Sequence, residues 1–254
     1  MNDFDHSPPT PGCIAAIIPA AGSGQRFGSE QNKLFADLAG KPLWYHSAAR
    51  LRQQSLIGRI VMPVSQTDHE VFTGKFAKWV SELEIEIVLG GDQRTDSVLA
   101  GLDKLAGDEK TRFVAVHDAA RPLVSQSDLA AVFAIASQNG AAILAMPMSG
   151  TVKRDSQTGS TSVKTPVASP PVIKTTVNRS DLWIALTPQV FRIDLLQNAY
   201  KKYRGRPATD DAELVERTGH PVSLVRGSAD NIKITHPEDL LIAHAILTKQ
   251  NQHA

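Results

Sequence analysis

The chain has 254 residues, 42% hydrophobic and 21% charged, and its 27 basic and 26 acidic residues nearly cancel. This balance gives no reason to expect nucleic acid or a membrane surface as the partner, and no apolar run approaches the ~20 residues that a membrane helix needs. Because Cys13 is the single cysteine, an intrachain disulfide is excluded and a reducing cytoplasm is the expected location.

The chain opens with a segment unlike the rest. Residues 1–13 are acidic and Pro-rich, and they lack the basic start and apolar run of a signal peptide. We predict a disordered extension there. Residues 14–254 are predicted to form a single domain, because a chain of this length can bury one full core.

A glycine-rich loop follows the first predicted strand. Residues 14–19 are apolar, and glycines follow at positions 22, 24 and 28, together with Arg26 and Lys33. Glycine has no Cβ, so its backbone N–H groups can approach a phosphate closely. Arg26 offers a planar fork for phosphate oxygens, and Lys33 offers a movable point charge. The loop therefore predicts a phosphate site.

Two better-known glycine loops do not fit this stretch. A P-loop closes with Gly-Lys-Ser/Thr, whereas this loop reads Gly24-Gln25-Arg26. A dinucleotide fingerprint needs glycine where this chain has Phe27, and an acidic residue ending the next strand, where residues 61–64 have none. The alternative that remains is a surface turn with incidental basic residues.

Strand and helix patterns then alternate along the chain. Helices are predicted at 41–55, 69–80, about 98–105, 127–139, 193–203 and 211–217, and a capping box at 235–238 opens the final helix. Strands are predicted at 59–64, 84–89, 113–116, 141–145 and 222–225. The alternation predicts an α/β fold: a Rossmann-like, mostly parallel twisted sheet with helices on both faces. Ligands bind such sheets outside the carboxyl ends of the strands. The glycine loop and segments 90–97 and 117–122 should meet there.

The alternation breaks at about 147–177. This stretch is rich in Ser, Thr, Pro and Val, and it shows no helical period. We predict an extended β-arm inserted in the domain. An arm leaves edge groups unpaired, and a second copy of the chain is the simplest partner, so a homodimer is expected. The alternative is a disordered loop in a monomer.

Six motifs follow one another along the chain. They are Pro19-Ala20-Ala21-Gly22-x-Gly24-x-Arg26, Lys33, Gly90-Gly91-Asp92-x-Arg94-x-Asp96-Ser97-Val98, His117-Asp118-Ala119-Ala120-Arg121-Pro122, Thr187-Pro188-Gln189-x-Phe191 and Asp230-Asn231-Ile232-Lys233. Together they closely resemble the 2-C-methyl-D-erythritol 4-phosphate cytidylyltransferase family of non-mevalonate isoprenoid synthesis. The resemblance covers about residues 14–248.

The resemblance implies transfer of CMP from CTP to 2-C-methyl-D-erythritol 4-phosphate, with Mg²⁺ as cofactor and metal ligands left unassigned. It implies four catalytic cations: Arg26, Lys33, Arg179 and Lys233. The nucleotide would contact Ala20, Ala21, Gly22, Ser23, Gly24, Gly91, Asp92, Ser97 and Ala119. The sugar phosphate would contact Asp118, Arg121, Thr151, Thr187, Thr209 and Asp210. Of these side chains, the neighbouring subunit would supply Thr151, Arg179 and Thr187.

The chemistry explains why the candidates are cationic and include no evident base. The attacking group is the substrate's own phosphate, which is largely dianionic at neutral pH because its second pKa is about 6. Catalysis then consists of holding two anions in line and neutralising the departing pyrophosphate. We expect no covalent enzyme intermediate.

Several candidates have simpler interpretations. His117 is expected to be a structural hydrogen-bonding residue, Asp118 could cap a turn, and Thr209 and Asp210 could be helix N-caps. A further alternative is a structural ion pair between two members of the third motif, Arg94 and Asp96.

Two other functions stay open, ribitol 5-phosphate cytidylyltransferase and a non-catalytic CTP-sensing module. The chain also departs from the family pattern in two places. Asn32 replaces the usual proline before Lys33, and segment 154–175 looks longer than the usual arm.

Overall fold

The structure, a computed structural model, describes residues 9–22, 32–156 and 170–252. Its strands are β1 Ile14–Ile17, β2 Asp37–Leu38, β3 Lys41–Pro42, β4 Ile57–Val64, β5 Ile85–Leu89, β6 Phe113–Val116, β7 Ala141–Pro147, β8 Val152–Asp155, β9 Ile173–Val177, β10 Trp183–Arg192 and β11 Ser223–Arg226. Its α-helices are α1 Leu43–Arg52, α2 Gln66–Thr73, α3 Ala77–Glu82, α4 Arg94–Lys104, α5 Gln126–Asn139, α6 Ile193–Lys202, α7 Asp211–Glu216 and α8 Asp239–Gln252.

Seven strands form the central sheet, in the order β11-β7-β10-β6-β1-β4-β5. β1 pairs in parallel with β4 and β6, β4 with β5, and β7 with β11. β10 runs antiparallel to both of its neighbours, β6 and β7. The predicted Rossmann-like, mostly parallel sheet is confirmed, whereas β10 lies in a stretch where no strand was predicted.

The side chains of β1 divide the core in two, because neighbouring residues of a strand point to opposite faces. Ile14 and Ala16 pack with α1, α2, α5 and α8 in one cluster, whereas Ala15 and Ile17 pack with α4, α6 and α7 in the other. Gly101 lets α4 lie close to β1, since a Cβ there would be 2.7 Å from Ile17 Cγ2. Helices thus cover both faces, as predicted.

Two predicted helices differ from the observed ones. The helix expected at 69–80 is divided into α2 and α3 around Gly74, where a Cβ would lie only 2.8 Å from the Glu70 carbonyl oxygen. The helix expected at 41–55 begins at Leu43, because the two preceding residues form β3 and pair with β2.

Within the described residues, none of the helices combines the length and apolar character that crossing a bilayer requires.

The amino-terminal boundary also differs from the prediction. Gly12 N donates to Ser55 O at 3.0 Å, and Cys13 is buried, with its carbonyl accepting from Arg112 N at 2.8 Å. These two residues are therefore packed on the domain and were wrongly included in the disordered extension. Residues 1–8 of that extension lie outside the described residues.

The predicted arm contains a separate two-stranded sheet. β8 and β9 pair antiparallel, with Val152 opposite Val177, and most of their residues are exposed. Residues 157–169, between these strands, lie outside the described residues. The extended hairpin is thus present on either side of that segment, and dimerisation stays a prediction.

Candidate functional site

A cavity of about 570 Å³ opens at the carboxyl ends of β1, β5 and β6. Its lining consists of Pro19, Ala20, Ala21, Gly22, Lys33, Leu34, Gly91, Asp92, Gln93, Arg94, Ser97, Asp118, Ala119, Ala120, Lys233 and Thr235. Sites for small ligands commonly measure ~300–1,000 Å³. The three segments predicted to meet at this edge of the sheet do meet, and the segment around Lys233 closes the cavity beside them.

The first wall is the chain that leaves β1. Ala20 N donates to Pro63 O at 2.8 Å, so the loop keeps close to β4 beyond the end of β1. Lys33 Nζ donates to the carbonyl of Ile234 at 2.9 Å, although the two residues are 201 positions apart. This bond joins the first wall to the segment that contains Lys233. Ser23, Gly24 and Arg26, which were predicted for this wall, lie outside the described residues.

The second wall is the Gly90-Gly91 turn after β5, which is packed too closely for larger side chains. A Cβ at Gly90 would lie 2.7 Å from Ser97 Oγ, and one at Gly91 would lie 2.4 Å from Asp96 Cβ. Gly91 N donates to Ser97 Oγ at 3.3 Å. The glycines therefore let the turn rest on the first turn of α4, which brings Ser97 to the cavity.

The carboxylate of Asp118 lies among three cations. Its Oδ2 is 2.8 Å from Lys233 Nζ and 3.4 Å from Arg121 Nε, and its Oδ1 is 3.6 Å from Arg94 Nε. Burial alone would raise the pKa of this carboxyl, but the positive charges of Lys233 and Arg94, followed by Arg121, hold it well below its usual range. Asp118 is therefore ionised at neutral pH.

Arg94 connects the cavity to a buried carboxylate. Its Nη2 lies 2.7 Å from Asp211 Oδ2, and Tyr200 Oη donates to Asp211 Oδ1 at 2.5 Å. Asp96 instead accepts from Gln93 N at 3.2 Å at the start of α4. The alternative of an Arg94–Asp96 ion pair is wrong, because the two side chains take these different partners.

A buried network of hydrogen bonds fixes the backbone of Asp118. Asp118 N donates to Thr187 Oγ1 at 3.1 Å, and that hydroxyl is 3.1 Å from His117 Nδ1. His117 Nε2 donates to the Arg121 carbonyl at 3.0 Å, which leaves Nδ1 to accept from Thr187. Burial lowers the pKa of His117 to about 4. His117 is thus a neutral structural residue, as its simpler interpretation predicted.

Thr187 is not placed as expected. It was predicted to reach the site of a neighbouring subunit, but it is buried and its hydroxyl bonds Asp118 and His117 of its own chain. Asn231 Nδ2 also donates to the Thr187 carbonyl, at 2.8 Å. The prediction of a neighbour's Thr187 is therefore corrected: this residue supports the site of its own subunit.

Thr209 and Asp210 directly precede α7. Asp210 Oδ1 accepts from Glu213 N at 2.9 Å, and the Thr209 hydroxyl donates to the Glu213 carboxylate at 2.8 Å. Gln189 Nε2 donates to Asp210 Oδ2 at 2.8 Å, and Gln189 Oε1 accepts from the first two N–H groups of α7. The N-cap interpretation of Asp210 is confirmed, while contact with substrate stays a prediction for both residues.

Thr151 in the arm and Arg179 just after it are not among the residues that line the described cavity. Thr151 and Arg179 are exposed, and Arg179 Nη1 donates to the carbonyl of Ser149 within the arm. The structure of one chain therefore does not bring these two candidates to Asp118.

Sequence reasoning missed the buried polar residues that lie behind Arg94. Asp211, Tyr200 and Gln189 are buried polar residues whose importance appears only in their contacts. Gln189 belongs to the fifth motif, and Asp211 directly follows the predicted Asp210. These positions were the sequence features that could have marked the two residues as candidates.

Two carboxylates line the cavity, Asp92 and Asp118, and Asp92 is the better oxygen donor for a metal ion because both oxygens of Asp118 face cations. Across residues 9–22, 32–156 and 170–252, no group of three or more His, Cys, Asp or Glu side chains could hold a metal ion. A metal at this site would therefore take most of its ligands from a bound anion and from water.

Comparison with known proteins supports a nucleotide site. A family model described as IspD, 2-C-methyl-D-erythritol 4-phosphate cytidylyltransferase, matches residues 14–249. The 2-C-methyl-D-erythritol 4-phosphate cytidylyltransferase of Rhodopirellula baltica is 51% identical over 245 residues, covering 93% of this chain and 95% of the relative. That of Pelotomaculum thermopropionicum is 40% identical and covers 92% of this chain and 94% of the relative.

Solved structures agree with these relatives. The crystal structure of 2-C-methyl-D-erythritol 4-phosphate cytidylyltransferase from Thermus thermophilus has a TM-score of 0.72 at 30% identity and covers 92% of this chain and 98% of that chain. The 4-diphosphocytidyl-2C-methyl-D-erythritol synthase of Anaerococcus prevotii has a TM-score of 0.74 at 27% identity, with the same coverage.

Proposed function

The chain belongs to the 2-C-methyl-D-erythritol 4-phosphate cytidylyltransferase family, and from that membership we propose how its residues divide the reaction. The enzyme transfers CMP from CTP to 2-C-methyl-D-erythritol 4-phosphate and releases pyrophosphate. The observation that carries the assignment of roles is the convergence of Lys33, Lys233 and Asp118 on one cavity bounded by two glycine-containing loops.

CTP is proposed to fill the cavity. Its base and ribose lie against Ala20, Ala21, Gly91, Asp92, Ser97 and Ala119, and its triphosphate lies along Gly22 towards Lys33. The loop beyond Gly22, with Ser23, Gly24 and Arg26, completes the phosphate contacts. Lys233 is 41% exposed while it contacts Asp118, so its ammonium group can turn to an entering phosphate.

In the reaction, an oxygen of the sugar phosphate attacks the α-phosphorus of CTP. The new P–O bond forms as the bond to the β-phosphate oxygen breaks, and pyrophosphate leaves with the electron pair. Since the attacking phosphate is already ionised, no side chain needs to remove a proton. Lys33, Lys233 and Arg26 stabilise the charge that grows on the leaving group.

Mg²⁺ is proposed as the cofactor. The carboxylate of Asp92 fits it, because Mg²⁺ usually binds one or two carboxylates together with substrate phosphates and water. When bound, it neutralises charge on the triphosphate. Removing the metal with EDTA should abolish turnover, and added Mg²⁺ should restore it; full activity in EDTA would contradict this assignment.

A homodimer is proposed to complete the site. Val172 and Ile173 of the arm are 65% and 61% exposed, and Trp183 and Ile184 at the start of β10 are also exposed. Such an apolar surface is typical of an interface. In the dimer, Thr151 and Arg179 of one subunit contact the sugar phosphate bound to the other; neither residue lines the cavity of its own chain.

A cytoplasmic location is proposed from the cysteine content. Cys13 is buried, and burial raises the pKa of its thiol, so the thiol stays protonated and unreactive. Cell fractionation with an antibody against the chain would test the location, and recovery outside the cytoplasmic fraction would contradict it.

One assay tests the substrate. Pyrophosphate release is measured with CTP and Mg²⁺ and, in turn, 2-C-methyl-D-erythritol 4-phosphate or ribitol 5-phosphate. We expect release with the first. Release with ribitol 5-phosphate alone would replace the substrate, and release with neither would favour a CTP-sensing module. Intact-mass spectrometry during turnover should show no cytidylylated protein.

A further inference from the structure

We propose that Arg94 is a positioning residue that orients the Asp118 carboxylate for the reaction and is itself fixed by Asp211 and Tyr200. The inference rests on the proposed function, which assigns Asp118 to the sugar-phosphate half of the site. It adds a role in turnover for three side chains on three different helices, α4, α7 and α6.

The two oxygens of Asp118 face different partners. Oδ2 is shared by Lys233, at 2.8 Å, and Arg121, at 3.4 Å. Oδ1 faces Arg94 Nε at 3.6 Å. A carboxylate that is attracted on both oxygens cannot rotate freely about its Cβ–Cγ bond. When a triphosphate competes for Lys233, Arg94 still restrains the oxygen on the other side.

Arg94 is restrained in turn from the protein interior. Its Nη2 contacts Asp211 Oδ2 at 2.7 Å, and the side chain of Asp211 is fully buried. Tyr200 Oη donates to the other oxygen of Asp211 at 2.5 Å. Burial and the charge of Asp211 raise the pKa of Tyr200, so the phenol keeps its proton and remains a donor.

The backbone of Asp211 is also fixed. Gln189 Oε1, on β10, accepts from Asp211 N at 3.1 Å and from Ala212 N at 3.0 Å. Arg94 therefore reaches Asp118 from an anchored carboxylate. Such a fixed second layer is what keeps an active-site group within the narrow range of geometry that catalysis needs.

A purely structural ion pair is the competing interpretation, and the chain contains one for comparison. Arg59 on β4 contacts Glu86 at 2.8 Å and Asp108 at 2.9 Å. These three residues do not line the described cavity. Arg59→Gln thus removes an arginine with two carboxylate partners, as Arg94→Gln does, without touching Asp118.

The first test separates stability from activity. Arg94→Gln leaves the Asp211 charge buried without its cationic partner, so the melting temperature should fall; adding Asp211→Asn removes that charge and should raise it again. Turnover should fall about 100-fold in Arg94→Gln and stay low in the double variant. Activity that returns together with the melting temperature would make Arg94 merely structural and overturn the proposal.

The second test asks what Arg94 acts upon. The Kd of CTP, measured by calorimetry without the sugar phosphate, should stay within about threefold of the wild-type value in Arg94→Gln. Arg94→Lys should recover part of kcat. Combining Arg94→Gln with Asp118→Asn should cost no more than Asp118→Asn alone. A loss of CTP affinity that matches the loss of kcat, or additive losses in the double variant, would overturn the proposal.

Two measurements, one on the control variant Arg59→Gln and one on the wild-type protein, distinguish the possible results. Arg59→Gln should lower the melting temperature and keep kcat within about twofold; a loss of kcat as large as that of Arg94→Gln would count against the proposal. Wild-type protein that releases no pyrophosphate overturns the proposed function together with this inference. Active wild type with an equally active Arg94→Gln overturns this inference alone.

Discussion

The cavity and the β8–β9 arm differ in how far their residues are buried and contacted by the rest of the chain. At the cavity, Asp118 has a side chain only 13% exposed and takes contacts from three cations. In the arm, Ile173 is 61% exposed, and β8 and β9 pair only with each other among the described strands. This difference fits the proposal that one chain holds the nucleotide and Asp118, while Thr151 and Arg179 come to the sugar phosphate from a second copy.

The largest expected effect tests the nucleotide half. Lys233→Ala should lower kcat/KM by about 10²–10³ because a charge next to the leaving group is lost, and Arg26→Ala and Lys33→Ala should do the same. Pyrophosphate release measures the rate, and thermal melting checks the fold. Lys104→Ala, at the other end of α4, removes an exposed lysine that contacts Glu86 at 3.7 Å and should be active. Near-normal rates in Lys233→Ala would remove Lys233 from the mechanism.

The next effect tests whether the two halves come from different subunits. Lys33→Ala and Arg179→Ala homodimers should each be nearly inactive. After subunit exchange at equal concentrations, half of the dimers are mixed and each contains one intact site, so about a quarter of the wild-type activity should return. If Arg179 serves its own subunit, no activity returns, and the comparison between cavity and arm fails.

A smaller effect is expected on assembly. Ile173→Lys places a charge on the exposed apolar part of the arm, so the dissociation constant of the dimer should rise above the wild-type value. Sedimentation equilibrium measures the dissociation constant. Leu241→Lys is the matched control, because Leu241 is 77% exposed but lies on α8. Equal dissociation of both variants, or of neither, would argue against an interface at the arm.

The smallest effect concerns the pH dependence of stability that the buried hydrogen-bond network of His117 and Thr187 produces. The pKa of His117 is about 4 in the folded chain and about 6.5 when unfolded. Between these values the unfolded state binds the proton more readily, so stability falls as pH decreases from 6.5 to 4. The melting temperature of His117→Gln should decline less steeply over this range. Parallel declines would show that His117 is not a neutral part of the network.

Much of the fold could be predicted from local sequence. The apolar runs of β1 and β6 and the alternation of strands with helices were sufficient for the sheet type and its ligand-binding edge. β10 was missed because its placement depends on β6 and β7, which lie far earlier in the chain. The break at Gly74 was missed because the apolar helical period continues across it.

The part of the site that depends on local sequence could also be predicted. Glycines that allow close backbone approach, and cations such as Lys33 and Lys233, have local signatures, and these residues do line the cavity. The role of Thr187 was predicted wrongly, and the network of Arg94 and Asp211 was not predicted, because neither depends on nearby sequence.

The sequence by itself determined which segments end strands, where glycine permits tight turns and which chemistry the cations suit. These properties depend on neighbouring residues and on the intrinsic geometry of the backbone. Only the tertiary structure decided that Lys33 meets Ile234 and that Arg94 lies between Asp118 and Asp211. Such contacts join distant parts of the chain, and they form only when packing of the sheet and helices brings those parts together.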